Sequence, residues 1–554
     1  MTMNLADIWE AVADRLPDHT AQIHGEQRST YRDFENRAAR LAAALRRSGV
    51  GEGTKVALYL YNGNEYLETV FAALKLRAVP VNVNFRYLAD ELHYLLDNSD
   101  AEAIVYHGAL AERVREVRGR LPKLRSFIQV TGNDEDRQPL IEEAEHYEDV
   151  IARNSPAERI PRSSGDFVFL YTGGTTGLPK GVMWRHADLF VTFSKSYAPL
   201  GGFVPKTPSE AAEAAVRMNE MGAAPRGIAG APLMHGMAWF TSMSSLVVGG
   251  TVLSLPSRSF DAHELWRTVE RDKASTCVIV GDAFARPMLR ALEEAETRGE
   301  PYDISSLFAL ISAGVMWTAS NKKAFLERGI PMLIDGLGSS EATGMGMMIS
   351  TANDDPTTAK FQLNPECKVI TEDGRFVEPG SEEIGMLGVS AGIPMGYYKD
   401  EEKTAATFKI IDAVRYSIPG DYAKVEADGS ITLLGRGSVC INTGGEKVFP
   451  EEVEEIVKLH RSIEDCTVVG IPDEKWGEAI TAVVSASPGA TIDVDEVIAM
   501  TKKKLAAYKA PKHILVVDRI VRSPAGKADY RWAKETARQM LDNRRRMNSP
   551  SDQG

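Results

Sequence analysis

Residues 167–181 read FVFLYTGGTTGLPKG. The run FVFLY has the apolar and aromatic content of a buried strand. It empties into Thr172, Gly173, Gly174, Thr175, Thr176 and Gly177, and Lys180 follows after Leu178 and Pro179. Glycines accept positive φ and let backbone N–H groups approach a ligand closely. Successive amides make an anion-binding hollow, to which hydroxyls and a lysine add donors and charge. The chemistry implied is triphosphate binding, with a Gly/Thr surface turn as the plain alternative. This is not the GxxxxGK-Ser/Thr loop, because Pro179 precedes the lysine and Gly181 follows it.

Strands alternate with helices on both sides of this segment. KVALYLY (55–61), VPVNVN (79–84) and AEAIVY (101–106) read as buried strands, and 64–78 and 89–99 between them read as helices. Thr30 is a plausible N-cap and Gly49 a stop for the helix between them. The rhythm recurs at 276–282, 306–314 and 330–338, predicting an α/β fold with mostly parallel sheets. Residues 197–231 read as a long irregular insertion with an Ala-rich helical piece, of the kind that is more often functional or mobile. After about residue 360, Asp-Gly turns between alternating residues predict a β-rich subdomain. From about 450 the pattern is compact α+β. The expected division is a large N-terminal domain over 1–435, a small mobile domain over 436–540 and a flexible tail over 541–554.

With 554 residues, 44% hydrophobic and 25% charged, the chain is globular and long enough for more than one core. A net charge of -13 argues against general nucleic-acid binding. The four cysteines, Cys277, Cys367, Cys440 and Cys466, form no CxxC pair and suit a reducing compartment. The N-terminus carries acids without a long apolar run, so no signal peptide is expected. No stretch approaches the ~20 apolar residues of a membrane span. A cytoplasmic location is expected. A homodimer is the assembly expected, though no residue argues for it.

YTGGTTGLPKG resembles the signature of the adenylate-forming superfamily, which includes acyl-CoA synthetases, adenylation domains and luciferases. NVNFRYLADELHYLLDNSD (82–100), KGVMWRH (180–186), GYYKDEEKTAATF (396–408) and LLGRGSVCINTGGEKVFPEEVE (433–454) are similar to actinobacterial-type acyl-CoA synthetases, some of which activate steroid side-chain acids. The resemblance implies roles residue by residue. Thr172 to Gly177 and Lys180 would hold the phosphates of ATP, with Thr176 among the catalytic groups. In GLGSSEAT, Glu341 would be the Mg²⁺ ligand and Ser340 a phosphate contact, with Gly338 and Ser339 beside them. Gly314 and Asp335 would lie on the adenine rim. Asp421 would take the ribose hydroxyls, and Arg436 would reach the nucleotide. His235 would stand at the acyl carboxylate. Lys527 would swing in to neutralise charge as carboxylate and α-phosphate meet. Gly444 and Gly445 would border the tunnel for coenzyme A, with Glu446 fixing the loop.

Three positions depart from the family pattern. Leu337 replaces an aromatic that covers adenine in many relatives, Pro419 stands where Thr is usual, and the domain pivot falls on Ser438. The acyl wall is expected from Trp239, Met243, Gly281, Ala283 and Met316, and Lys502–Lys504 and Lys509 are candidates for CoA phosphates. No HExxH or GxSxG occurs, so neither zinc nor serine hydrolysis is supported. The implied activity is ATP-dependent joining of a carboxylic acid to CoA through an acyl-AMP. The acid would be bulky and apolar, either a steroid side chain or a medium- or long-chain fatty acid. An acyl-AMP ligase loading a carrier protein, and a non-catalytic ATP-binding homologue, are the alternatives.

Overall fold

The computed structural model describes residues 3–131, 138–172, 178–315, 317–443, 446–473, 476–523 and 526–548. The two ends of the quoted segment, Phe167–Thr172 and the start of Lys180–Arg185, lie in a sheet that runs, edge to edge, Gly396–Tyr397, Lys180–Arg185, Phe167–Thr172, Val79–Asn82, Lys55–Tyr59, Ala101–His107, Ser126–Val130 and Ala144–His146. From Phe167–Thr172 outward to Ala144–His146 every pairing is parallel. Lys180–Arg185 turns back antiparallel, with Tyr171 opposite Gly181 and Thr172 opposite Lys180. Helices cover these strands. The one at Tyr31–Arg47 starts in a capping box of Thr30 with Asp33, and Gly49 follows its end at φ +84°.

A second sheet is parallel from Thr20–His24 through Thr251–Ser254, Arg226–Ala229, Thr276–Ile279 and Ala309–Ala313 to Met332–Ser339. There it reverses. Met332–Ser339 pairs antiparallel with Ala342–Ser350, and the sheet continues through the antiparallel strands of the β-rich region. The reversal matters for function, because Glu341 stands at its tip. A third sheet, Glu446–Val448, Ile441–Thr443, Gly477–Ala486 and Ile463–Asp473, also takes His513–Val517 alongside Gly477–Ala486. Its two faces are covered by separate apolar clusters drawn from residues 441–541 alone.

Two expectations are corrected. Within the supposed irregular insertion, Pro208–Glu220 is a capped helix whose Ala211, Ala212, Ala214 and Ala215 are buried, and it packs along Leu5–Arg15. Alanine's small side chain lets the two helices approach closely, so the segment is core. The supposed tail is helical as far as the described residues go, because Tyr530–Asn548 runs through it and packs Ala533, Ala537 and Leu541 on the third sheet. No helix among the described residues is long and apolar enough to cross a membrane. The four cysteines are free.

Candidate active site

The strand Phe167–Thr172 delivers the glycine-rich loop to the sheet's carboxyl end, where parallel sheets place their ligands. Gly173, Gly174, Thr175, Thr176 and Gly177 lie outside the described residues. The flanks are tightly specified. The buried Asn82 accepts from Tyr171 N at 2.6 Å and donates to Tyr171 O at 3.1 Å and to Met234 O at 2.5 Å. One amide thereby ties the phosphate strand to the residue before His235. Gly181 has no room for a side chain, because a Cβ there would stand 2.7 Å from the Tyr171 ring. Lys180 pairs with Asp400, and its ammonium lies 6.0 Å from the centre of the Tyr397 ring.

Opposite stands the hairpin tip. Ser339 Oγ accepts from Glu341 N at 3.2 Å, and Trp184 Nε1 donates to Ser340 O at 3.0 Å. Ser417 Oγ donates to Glu341 O at 2.6 Å, and the Tyr397 hydroxyl donates to Glu341 Oε1 at 2.9 Å. A Cβ on Gly338 would press on Ala342 O at 3.1 Å, so a side chain there would fit only tightly. The carboxylate is aimed with one oxygen bonded to Tyr397, among serine hydroxyls. An all-oxygen donor set with a single carboxylate suits Mg²⁺, whose remaining positions go to water and phosphate. Among the described residues no cluster of three His, Cys, Asp or Glu forms a complete metal cage.

Asp421 and Arg436 face each other across adjoining strands, Nε to Oδ1 at 3.1 Å. The Asp421 carboxylate holds the guanidinium's pKa above its usual value despite burial. Lys527 arrives from the small domain on a turn closed by Ser523 N to Lys527 O at 2.8 Å and Gly526 N to Ser523 O at 2.8 Å. Arg522 braces this turn, giving Nη1 to Gly526 O at 3.1 Å and forking onto Asp465 at 2.6 Å through both Nε and Nη2. Burial raises the Asp465 pKa, but Arg522 and Lys458 outweigh it and hold the carboxyl at about 2. The turn docks against Ala283, 3.1 Å from where a Gly526 Cβ would be, and the Lys527 side chain passes Gly314. Gly314 has φ +85° and leaves the lysine its path. Solvent still reaches the side chain. Crowding in the cleft, then Arg436, lower the ammonium's pKa, while Glu341 and Asp421 pull it back up.

His235 caps the helix Gly236–Val247. Its Nε2 is enclosed without a hydrogen-bond partner among the described residues. Burial, with the charges of Lys527 and Arg86, pushes its pKa down to about 3, so the ring is neutral near pH 7. Trp239 and Met243 are core residues, with Trp239 packed on Phe193 and Phe240. Gly281 N donates to Ser312 Oγ at 2.9 Å. Ala283 lines a cavity of about 880 Å³ between the large domain and the lysine turn, with Tyr61, Phe85, Val315 and Ser523 among its walls. Met316 lies outside the described residues.

Thr172, Lys180, Gly314, Gly338, Ser339, Ser340, Glu341, Asp421, Arg436, His235 and Lys527 all border this cleft or the turns that form it. Asp335 does not present a free carboxylate to it. It is buried, bonded to Lys322 Nζ at 2.6 Å, and burial raises its pKa against that partner. Glu446 is exposed on the hairpin of the third sheet, and no described contact joins it to the cleft. Gly444 and Gly445 lie outside the described residues. Lys509 is committed to Glu452, at 2.6 and 2.7 Å. Ser438 lies in the short turn Gly437–Val439, and Leu337 packs on the antiparallel core. Sequence reasoning missed Asn82, Tyr397, Asp400 and Arg522. Each reads as an ordinary strand or turn residue, and only its partners distinguish it.

A family model described as AMP-binding enzyme matches residues 9–398, and one described as AMP-binding enzyme C-terminal domain matches 452–527. The chain is 42% identical to the 3-oxocholest-4-en-26-oate–CoA ligase of Rhodococcus rhodochrous, over 97% of this chain and 96% of the relative. It is 41% identical to the medium/long-chain-fatty-acid–CoA/3-oxocholest-4-en-26-oate–CoA ligase of Mycobacterium tuberculosis, with the same coverage. The crystal structure of the anthranilate CoA ligase AuaEII with anthranoyl-AMP shares the fold, with a TM-score of 0.82 at 22% identity over 98% of each chain.

Proposed function

Since the chain belongs to the AMP-binding enzyme family, we propose that it is an ATP-dependent acyl-CoA synthetase for a bulky apolar carboxylic acid, either a steroid side-chain acid or a medium- or long-chain fatty acid. The observation that carries this reading is the meeting of Lys527, from the small domain, with Glu341 and Asp421 of the large one and with Arg436, which the strand Ile431–Arg436 keeps in the large domain's sheet rather than in the small domain expected to begin there. The names of the relatives support the substrate class. The cavity beside Ala283 is open and lined by charged side chains, among them Arg86, Arg286, Arg290 and Arg522, so the acyl class rests on the names of the relatives.

In the first step an acid carboxylate oxygen attacks the α-phosphorus of ATP, and pyrophosphate leaves. Oxide is a poor leaving group from an acyl carbon, whereas AMP is a good one. Lys180 and the loop from Thr172 to Gly177 bind the triphosphate. Glu341 would hold Mg²⁺, which supplies charge neutralisation on the phosphates. Asp421 accepts from the ribose hydroxyls, and Arg436 orients it. Lys527 sits between the two anions and offsets the charge that concentrates as they close. His235, kept neutral, orients the carboxylate without competing for a proton. In the second step the small domain swings about the segment near Ser438, which carries Lys527 away. The CoA thiol, approaching by Gly444, Gly445 and Glu446, then adds to the acyl carbonyl. AMP departs and the thiol proton passes to solvent. Free, mostly buried cysteines suit a cytoplasmic location within the same proposal, and sedimentation would test the homodimer.

The test incubates the enzyme with ATP, Mg²⁺, CoA and a panel of acids and weighs the products. The expected result is a CoA thioester plus AMP, with cholestenoate-type or medium- and long-chain acids ahead of acetate. No acid-dependent AMP release from any member would overturn the activity, and faster turnover of acetate would overturn the substrate class.

A further inference from the structure

We propose that the segment Gly396–Asp400 is a strap that sets the nucleotide site before ATP arrives, with Tyr397 and Asp400 as positioning residues for Glu341 and Lys180. The proposal rests on the reading of those two as nucleotide-binding groups.

The strap is the edge strand next to the one that begins at Lys180. Gly396 pairs with Met183 and Tyr397 with Val182, and Tyr398 N donates to Gly181 O at 2.8 Å. It is anchored away from the cleft as well. The Tyr398 hydroxyl donates to Asp100 at 2.7 Å, and Lys399 pairs with Asp100 at 2.8 Å. Gly396 has φ +151°, and a Cβ there would collide with Thr404 at 2.5 Å, so the backbone follows this path only with glycine. Thr404 Oγ1 in turn accepts from Tyr397 N at 2.9 Å.

From this anchored backbone Tyr397 touches both charged groups. Its hydroxyl donates to Glu341 at 2.9 Å and its ring faces the Lys180 ammonium at 6.0 Å. A phenol hydroxyl facing a carboxylate oxygen is the donor of that pair. Asp400 completes the seat by pairing with Lys180, which holds the Asp400 pKa below the usual carboxylate range. One rigid side chain thus fixes the spacing between the cation meant for phosphate and the carboxylate meant for metal. A free lysine would lose rotamer entropy on binding, and the seat removes most of that loss beforehand. An ammonium has three donors, so the bond to Asp400 leaves two for phosphate.

Asp400→Asn is an informative variant, because Asp400 also caps the helix Glu401–Thr407 by accepting from Lys403 N at 2.8 Å. Asparagine caps as well as aspartate, so only the charge is lost. Titration calorimetry of the full chain with ATP, in Mg²⁺ and in EDTA, is the measurement. Asp400→Asn should weaken ATP about fivefold in both arms. Tyr397→Phe, which keeps the ring, should weaken it about threefold in the Mg²⁺ arm only. Asp400→Glu should recover most of the loss. Unchanged or tighter binding by Asp400→Asn would overturn the strap, since it would make Asp400 idle or a competitor of phosphate. Equal losses in both arms for Tyr397→Phe, accompanied by a lower Tm, would reduce Tyr397 to a structural residue and overturn its part. A wild-type chain that binds no Mg–ATP defeats the functional reading itself, whereas normal wild-type binding matched by both variants defeats only the strap.

Discussion

Glu341 and Lys527 face each other across the cleft from turns held in opposite ways. Glu341 stands at the tip of a hairpin paired from Leu333 to Ala342 and is gripped by Ser339, Ser417 and Tyr397, all of the large domain. Lys527 stands on a turn whose described hydrogen bonds are internal to the small domain, and it reaches the large domain by packing beside Ala283 and Gly314. The first arrangement is a fixed wall. The second is a rigid finger whose described contacts at its tip are packing contacts, while Arg290 holds the small domain nearby through Glu464 at 2.7 Å. That difference suits the two-step reaction proposed above, in which the groups used in both steps would be built in and the group used in one would be delivered.

Removing the finger's charge is the strongest way to break the comparison. Lys527→Ala should cut acid-dependent ATP–pyrophosphate exchange by roughly 10²–10³, as loss of a transition-state charge partner does. Thioester formation from supplied acyl-AMP should survive. Intact exchange, or collapse of both half-reactions, would show that the lysine is not confined to the first step.

Loosening the finger without touching its charge should do less. Arg522→Ala removes the fork onto Asp465 and the bond to Gly526 O. We expect roughly a tenfold loss of exchange, because misplacing a catalytic group is costly even when it is present. The second half-reaction should be spared, and activity equal to wild type in both would show that the brace is dispensable.

The smallest effect concerns docking. Glu451 opens the helix Pro450–Lys458 and presses on Gly435 of the large domain. Burial, then Glu454, raise its pKa to about 8 against hydrogen bonds from the backbone and the Tyr530 hydroxyl. Swung into water it would titrate near ~4.3. A pKa raised in the docked state means docking is fully supported below about 4.3 and weakens as pH climbs towards 8. Over pH 6–8 the ratio of exchange to thioester formation should therefore fall several-fold in the wild type. It should stay flat in Glu451→Gln, and parallel profiles would remove Glu451 from the docking equilibrium.

Much of this was legible without coordinates wherever local pattern and chemistry coincide. The parallel strands announced themselves as apolar runs, and Thr30 as a cap. The failures share one cause. The Ala-rich stretch at 208–220 reads as helical but as part of an irregular insertion, because alanine is only weakly apolar, yet against another helix its small size makes close packing and turns it into core. Asp335 looked available because nothing in its neighbourhood of sequence reveals Lys322. Tyr397 and Asp400 lay in a segment whose resemblance was noted but whose partners, Glu341 and Lys180, are 56 and 220 residues away.

By itself, then, the sequence determined the layering of the fold, the family, and the kinds of groups a nucleotide and an acid would meet, because periodicity and loop chemistry are local. Only the tertiary structure decided which of those groups are free and which already hold each other, and that Lys527 enters from a separately packed domain. Charge pairing and docking depend on distances between segments far apart in the chain, and no local pattern encodes those distances.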